Sequence, residues 1–166
     1  MSVLTTQRLV LREVTHQDAC NLALVLSNPE VMKHSVRGVH SPAQIQEYID
    51  NTKLTYERYG FGQWIITTKA DEFIGICGLN KHQVDGEALT HIMYRLAPNQ
   101  QGQGYALEAV KGVLNYAQTR LIGKAIYALI EPTNEASIKV ALKAGLTLNK
   151  QVEFAGALVN LYRINN

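Results

Sequence analysis

Gln101-Gly102-Gln103-Gly104-Tyr105-Ala106 is the stretch that decides the fold. It follows the strand-like segment Ala88 to Ala97 and opens the helix-like segment Leu107 to Ala117. Two glycines let a backbone bend tightly and come close to a ligand. The first N–H groups of a helix have no intrahelical acceptor, and the positive end of the helix dipole lies beside them. Together they make an anion site suited to phosphate. The sequence therefore predicts a phosphorylated cofactor bound at a strand-to-helix turn.

Outward from this turn the chain reads as one α/β domain over residues 1–166. Gln7 to Val14 alternates as a strand, with Leu9 and Leu11 on one face. Thr15 and Asp18 suit the start of a helix running to Leu26 and ending near Asn28-Pro29. Ser41-Pro42-Ala43-Gln44 has a capping serine, a first-turn proline and a capping-box glutamine. It predicts a helix to Tyr59, closed by Gly60. Strands follow over Phe61 to Thr68, Glu72 to Lys81 and Ala88 to Ala97. After the glycine-rich turn and its helix come a strand over Lys124 to Ile130 and a helix from Asn134 to Ala144. Gly145 closes that helix, and strands Leu146 to Phe154 and Ala157 to Ile164 end the chain. This order predicts a mixed, mostly antiparallel sheet of seven strands flanked by about four helices.

Composition narrows the function. A chain of 166 residues with 46% apolar content can fill one core. A net charge of +2 without a long basic run argues against nucleic acid. No segment has the apolar length of a membrane span, and the amino terminus lacks a signal-like apolar run, so a cytoplasmic protein is expected. Cys20 and Cys77 lie far apart in apolar surroundings and are expected to be buried free thiols; no metal site is expected. A P-loop is excluded because no Gly-Lys-Ser/Thr follows the turn. A dinucleotide fingerprint would need a third glycine where Leu107 stands.

Gln101-x-x-Gly104-x-Ala106 resembles the pyrophosphate motif of the GNAT superfamily of acetyl-coenzyme A-dependent N-acetyltransferases. Glu108-Ala109 continues its Gly-Tyr-Ala-x-Glu-Ala pattern. Asn134-Glu135-Ala136-Ser137 and Lys143-Ala144-Gly145-Leu146 are similar to its second cofactor segment. Thr6 to Arg12 and the region Asn28 to Pro42 resemble the branch that holds the ribosomal-protein N-terminal acetyltransferases. The resemblance covers nearly the whole chain.

It implies a cofactor site of Tyr94, Leu96, Gln101, Gly102, Gln103, Gly104, Tyr105, Ala106, Asn134, Ser137 and Lys143. The strand through Tyr94 and Leu96 would splay from its neighbour and bind pantetheine along its open edge. The Tyr94 N–H would stabilise charge on the thioester oxygen. Gln103 stands where relatives often carry lysine or arginine, which shifts phosphate neutralisation towards Lys139, Lys143 or Arg95. His91 stands where relatives often have glutamate, and an imidazole with a pKa near 6.5 could act as the base. Glu87 is a weaker candidate. Ser137 would assist the leaving sulfur, since the usual acid position holds Ala141. Residues 31–60, with His34, Arg37, His40, Glu47 and several tyrosines, would form one wall of the acceptor cleft. The expected acceptor is an amine, either a peptide N-terminus or a small molecule, and the expected assembly is a monomer or homodimer. A coenzyme A-binding module without catalysis is the alternative.

Overall fold

The computed structural model describes residues 2–35 and 37–165. The fold is a single eight-stranded sheet with helices on both faces. The strands are β1 (Ser2–Thr5), β2 (Leu9–Arg12), β3 (Gln63–Thr68), β4 (Phe73–Val84), β5 (Glu87–Leu96), β6 (Ala125–Ile130), β7 (Thr147–Phe154) and β8 (Ala157–Asn165). The helices are α1 (Ala19–Leu26), α2 (Pro29–Met32), α3 (Pro42–Tyr59), α4 (Tyr105–Arg120) and α5 (Glu135–Lys143). The strand order is β1-β2-β3-β4-β5-β6-β8-β7. Every neighbouring pair is antiparallel except β5 and β6.

Two elements exceed the seven strands and four helices that the sequence predicts. β1 is four residues long and bulged against β2, too short for alternation to reveal it. α1 ends at Leu26, ahead of Asn28-Pro29 as expected, but a further helix begins there. The Asn28 Oδ1 accepts from Glu30 N at 2.9 Å and starts α2. The same proline that stops α1 serves as the first residue of a second, one-turn helix. The expected strand Gln7 to Val14 is shortened to β2, and Thr15 starts a 3-10 turn ahead of α1. The Asp18 carboxylate holds that turn, accepting from Thr15 N at 2.8 Å and from both Arg12 Nη atoms at 2.9 and 2.7 Å.

Other turns form as their residues dictate. The Ser41–Gln44 box caps α3, and Gly60 closes it with φ +75°. The cysteines differ from expectation: Cys77 is buried, but Cys20 is exposed because it lies on the outer face of α1. Both thiols are free.

Two apolar layers sandwich the sheet. One joins α4 and α5 to Leu9, Leu11, Trp64, Ile66, Leu79, Ile92 and Leu96. The other joins α1–α3 to Ile65, Ile76 and Ala97, with Met93 packed against it. Strand side chains alternate between faces. Ile92, Tyr94 and Leu96 of β5 therefore belong to the first layer, and His91, Met93 and Arg95 to the second.

Candidate active site

The sheet opens beside the central strand. β4 pairs with β5 over the full length Glu87 to Leu96. On its other edge β5 meets parallel β6 at a single position, His91 opposite Tyr127. Beyond it, the segment Ile92–Leu96 and the remainder of β6 diverge, which leaves a slot edged by strand backbone. Tyr94 and Leu96 belong to this segment, which has no ladder partner on that edge. The Tyr94 hydroxyl donates to the Ser137 carbonyl at 2.7 Å, so α5 is tied to β5 across the gap.

The glycine-rich turn lies at the end of β5. Gly102 and Gly104 have φ +79° and +81°, a region that side chains rarely adopt. Gln101 Nε2 donates to the Leu96 carbonyl at 3.3 Å and fastens the turn to the strand. Gly104 is the N-cap of α4 and offers no side-chain acceptor. The first N–H groups of this long helix therefore keep their donors for an incoming anion.

A cation reaches the turn from an unexpected direction. Arg8 Nη1 donates to the Gln103 carbonyl at 3.0 Å, and its guanidinium sits 4.5 Å from the Tyr105 ring centre. Arg8 Nε also pairs with Glu108 at 2.6 Å, and Glu108 accepts from Thr6 Oγ1 at 2.5 Å and Arg8 N at 2.8 Å. Burial pushes the Glu108 carboxyl up, but these bonds outweigh it and hold it below the usual range. Arg8 belongs to the opening segment Thr6 to Arg12 and Glu108 to the pattern that follows the turn, 100 residues apart. Nothing in their spacing announces that they clamp the turn together.

The second cofactor segment is only partly gathered here. The Asn134 side chain accepts from Ser137 N at 3.2 Å and caps α5. Ser137 is thus the receiver of the cap, and its hydroxyl is not the capping group. Lys143 is exposed at the other end of α5, about 13 Å away for a helix of this length. There it complements the helix dipole. Lys139 is also exposed. Ala141 is fully buried, so no side-chain acid operates from that position.

Arg95 is not a cofactor-side cation. It faces α1–α3, with Nη1 3.2 Å from the Met32 sulfur. Around it lie Tyr48, whose hydroxyl bonds the Gln63 side chain, and His40, whose ring lies edge-on to Tyr48. Burial lowers the Arg95 pKa and raises that of Tyr48. Tyr56, bonded to the Gln63 carbonyl and receiving Val14 N at 3.1 Å, is raised by burial as well. These tyrosines are framework, not acids. The segment after α2 closes the other wall. His34 Nδ1 lies 3.2 Å from Glu131 Oε2, bridging this wall to the residue after β6.

His91 departs most from expectation. It is 7% exposed, and its Nδ1 is the one buried side-chain polar atom without a partner among the described residues. Its Nε2 lies 2.5 Å from Nδ1 of His82, an exposed residue of β4. Burial, followed by the neighbouring His82, pushes the His91 pKa down to about 3. The imidazole with an ordinary pKa is therefore corrected to a buried, neutral ring backed by a second histidine. His82 was not foreseen, because its partner lies across a hairpin. Alternation on two antiparallel strands was the available signal. Glu87 is exposed at the start of β5, four residues from His91.

Residues 8–147 match the acetyltransferase (GNAT) domain. The uncharacterized N-acetyltransferase p20 of Bacillus licheniformis is 34% identical, over 98% of this chain and 94% of its own. The uncharacterized protein YkkB of Bacillus subtilis is also 34% identical, over 90% and 87%. Among solved structures, an acetyltransferase from Agrobacterium tumefaciens superposes with TM-score 0.84 at 23% identity, covering 98% and 94%. The Salmonella typhimurium enzyme that modifies the N-terminal serine of ribosomal protein L7/L12 gives 0.81 at 21%, covering 97% and 96%. No helix among the described residues is long and apolar enough to cross a membrane. With the opened sheet, the glycine-rich turn and a family match spanning most of its length, the chain belongs to the GNAT family of acetyltransferases.

Proposed function

We propose that the protein transfers the acetyl group of acetyl-coenzyme A directly to a primary amine. The observation that carries this reading is the single-pair junction of β5 and β6 ending at the Gly102–Gly104 turn. The residues present fit the cosubstrate. The turn offers helix N–H groups to a diphosphate, with Arg8 adding positive charge nearby. The unpaired edge of β5 suits the amides of pantetheine. When bound, acetyl-coenzyme A supplies the acyl group as a thioester.

The chain's own groups then divide the work. The Tyr94 N–H supports negative charge developing on the carbonyl oxygen, a role typically worth about 3 kcal/mol. The His91–His82 pair accepts the proton of the amine. With His91 Nε2–H donating to His82, the His91 Nδ1 keeps a lone pair. As it takes the amine proton, the Nε2 proton passes to His82, and the charge rests on the more exposed ring. The amine nitrogen forms the new C–N bond, the C–S bond breaks, and its electron pair leaves on sulfur. The Ser137 hydroxyl assists that departure.

The test is thiol release from acetyl-coenzyme A against amines, amino acids and N-terminal peptides, with the acetylated product identified by mass. Release with at least one acceptor supports the reading. A second reading, coenzyme A binding without catalysis, is favoured by the deep burial of His91. Cofactor binding with no release on any acceptor would establish it.

A further inference from the structure

A buried guanidinium normally has a carboxylate partner, because desolvating an unpaired charge is costly. Arg95 is half-buried and has none: among the described residues it takes part in no ion pair. Its polar contact is a thioether sulfur, a weak acceptor. Arg37 lies close enough to act electrostatically on His40 and His82 and also forms no ion pair among the described residues. The carboxylate reaching this wall, Glu131, is engaged by His34 and Thr133. The acceptor side thus carries two arginines without an ion-pair partner among the described residues, Arg95 half-buried and Arg37 exposed.

We propose that Arg95 is an acceptor-binding residue, and that the acceptor is a small amine carrying a carboxylate, an amino acid in the simplest case. This rests on the amine-transfer reading above and names its substrate class. The geometry suits it. His91 and Arg95 share one face of β5, about 13 Å apart along the strand. Tyr94, whose N–H is assigned to the thioester, lies between them in sequence. An acceptor between the two would meet the base at its nitrogen and the guanidinium fork at its carboxylate. A planar guanidinium holds carboxylates in a bidentate pair. The same positive charge lowers the pKa of a bound amine, which favours its reactive neutral form. A polyamine would meet repulsion, and a peptide N-terminus would leave Arg95 unpaired unless an acidic side chain followed.

The experiment compares the twenty amino acids with their carboxamides, spermidine and N-terminal peptides as acceptors. In parallel, melting temperatures are measured with coenzyme A plus each N-acetyl amino acid or its carboxamide. Wild type is expected to prefer a carboxylate acceptor over its carboxamide by roughly 10- to 100-fold in kcat/KM. The matching N-acetyl amino acid is expected to raise the melting temperature. Arg95→Gln should erase both preferences while acetyl-coenzyme A binding stays unchanged, and Arg95→Lys should keep part of them. Carboxamides, spermidine or peptides serving equally well would overturn the proposal, as would a preference that survives Arg95→Gln. If no acceptor turns over, the melting data still decide: a carboxylate-specific shift lost in Arg95→Gln upholds the anion site while the transfer reading fails, and no shift overturns it.

Discussion

The two faces of β5 are built by different means. On the Tyr94 face the chain works through backbone: a strand edge, a helix start and a turn with two positive-φ glycines. On the His91 face it works through side chains: a hydrogen-bonded histidine pair, a half-buried arginine and a histidine–glutamate bridge. Backbone geometry accepts few residues at a given position, so its sites show up as short, ordered motifs. Side-chain sites need only convergence in space, and any element can supply a member. One family can therefore hold its cosubstrate constant while its acceptors diverge.

The sharpest way to break this comparison is at Gly104. Gly104→Asp puts a carboxylate and a Cβ where φ is +81°, beside Arg8 in the turn proposed to hold the diphosphate. In wild type, acetyl-coenzyme A at about 100 times its Kd should stabilise the fold by about 2.7 kcal/mol. The variant should lose that thermal shift entirely. An intact shift would show that the turn does not carry the cosubstrate.

His91 tests the other face. His91→Ala should lower kcat by about 10²-fold with little change in acetyl-coenzyme A affinity. His82→Gln should lower kcat in the same direction if the pair acts as a unit. An unchanged rate in both would remove them from proton transfer.

The same histidine has a signature in stability. Its folded pKa is near 3, and an unfolded imidazole titrates near 6.5. Between these values the unfolded chain binds a proton that the folded chain refuses. The contribution is therefore intact above about pH 6.5 and is lost as pH falls towards 3, at up to about 1.4 kcal/mol per pH unit. Denaturant unfolding at pH 7, 6 and 5 should show this slope, and His91→Asn should flatten it. A slope that persists in the variant would assign it to other groups.

The smallest effects separate the two residues of α5. Asn134→Ala removes the observed cap and should cost about 1 kcal/mol. Ser137→Ala leaves that cap in place, because the cap uses the Ser137 backbone N–H. It should slow transfer by about 10-fold and leave the melting temperature unchanged. Total loss of activity with normal binding would give the hydroxyl a larger part.

What the sequence reveals follows the same division. The turn at Gln101–Ala106, the capping box at Ser41 and most strands are local patterns, and each can be read from consecutive residues. β1 is missed because four residues hold too little alternation. His82 and Arg8 are missed because each acts through a partner, 9 and 100 residues away, that the sheet register and the docking of α4 respectively bring close. Arg95 is legible as a cation, but the side it faces follows from the strand's alternation and from Met32 in α2, which a charge count does not carry. The burial that depresses His91 is likewise a tertiary property.

The lone His91–Tyr127 junction also has a mechanical meaning. A continuous sheet shares load through many rungs, whereas here a single rung joins strands β1–β5 to the β6–β8–β7 unit. The cohesion of the two halves falls to side-chain packing from α4 and α5, to the cluster of Val84 and Leu89 with Val152, Val159 and Leu161, and to the Tyr94–Ser137, His34–Glu131 and Lys150–Asp85 ties. A ligand lying in the slot would act as mortar between two slabs. Amide protection against solvent exchange along β6 and the N-terminal turn of α5 would then report occupancy of the slot, even when no chemistry takes place.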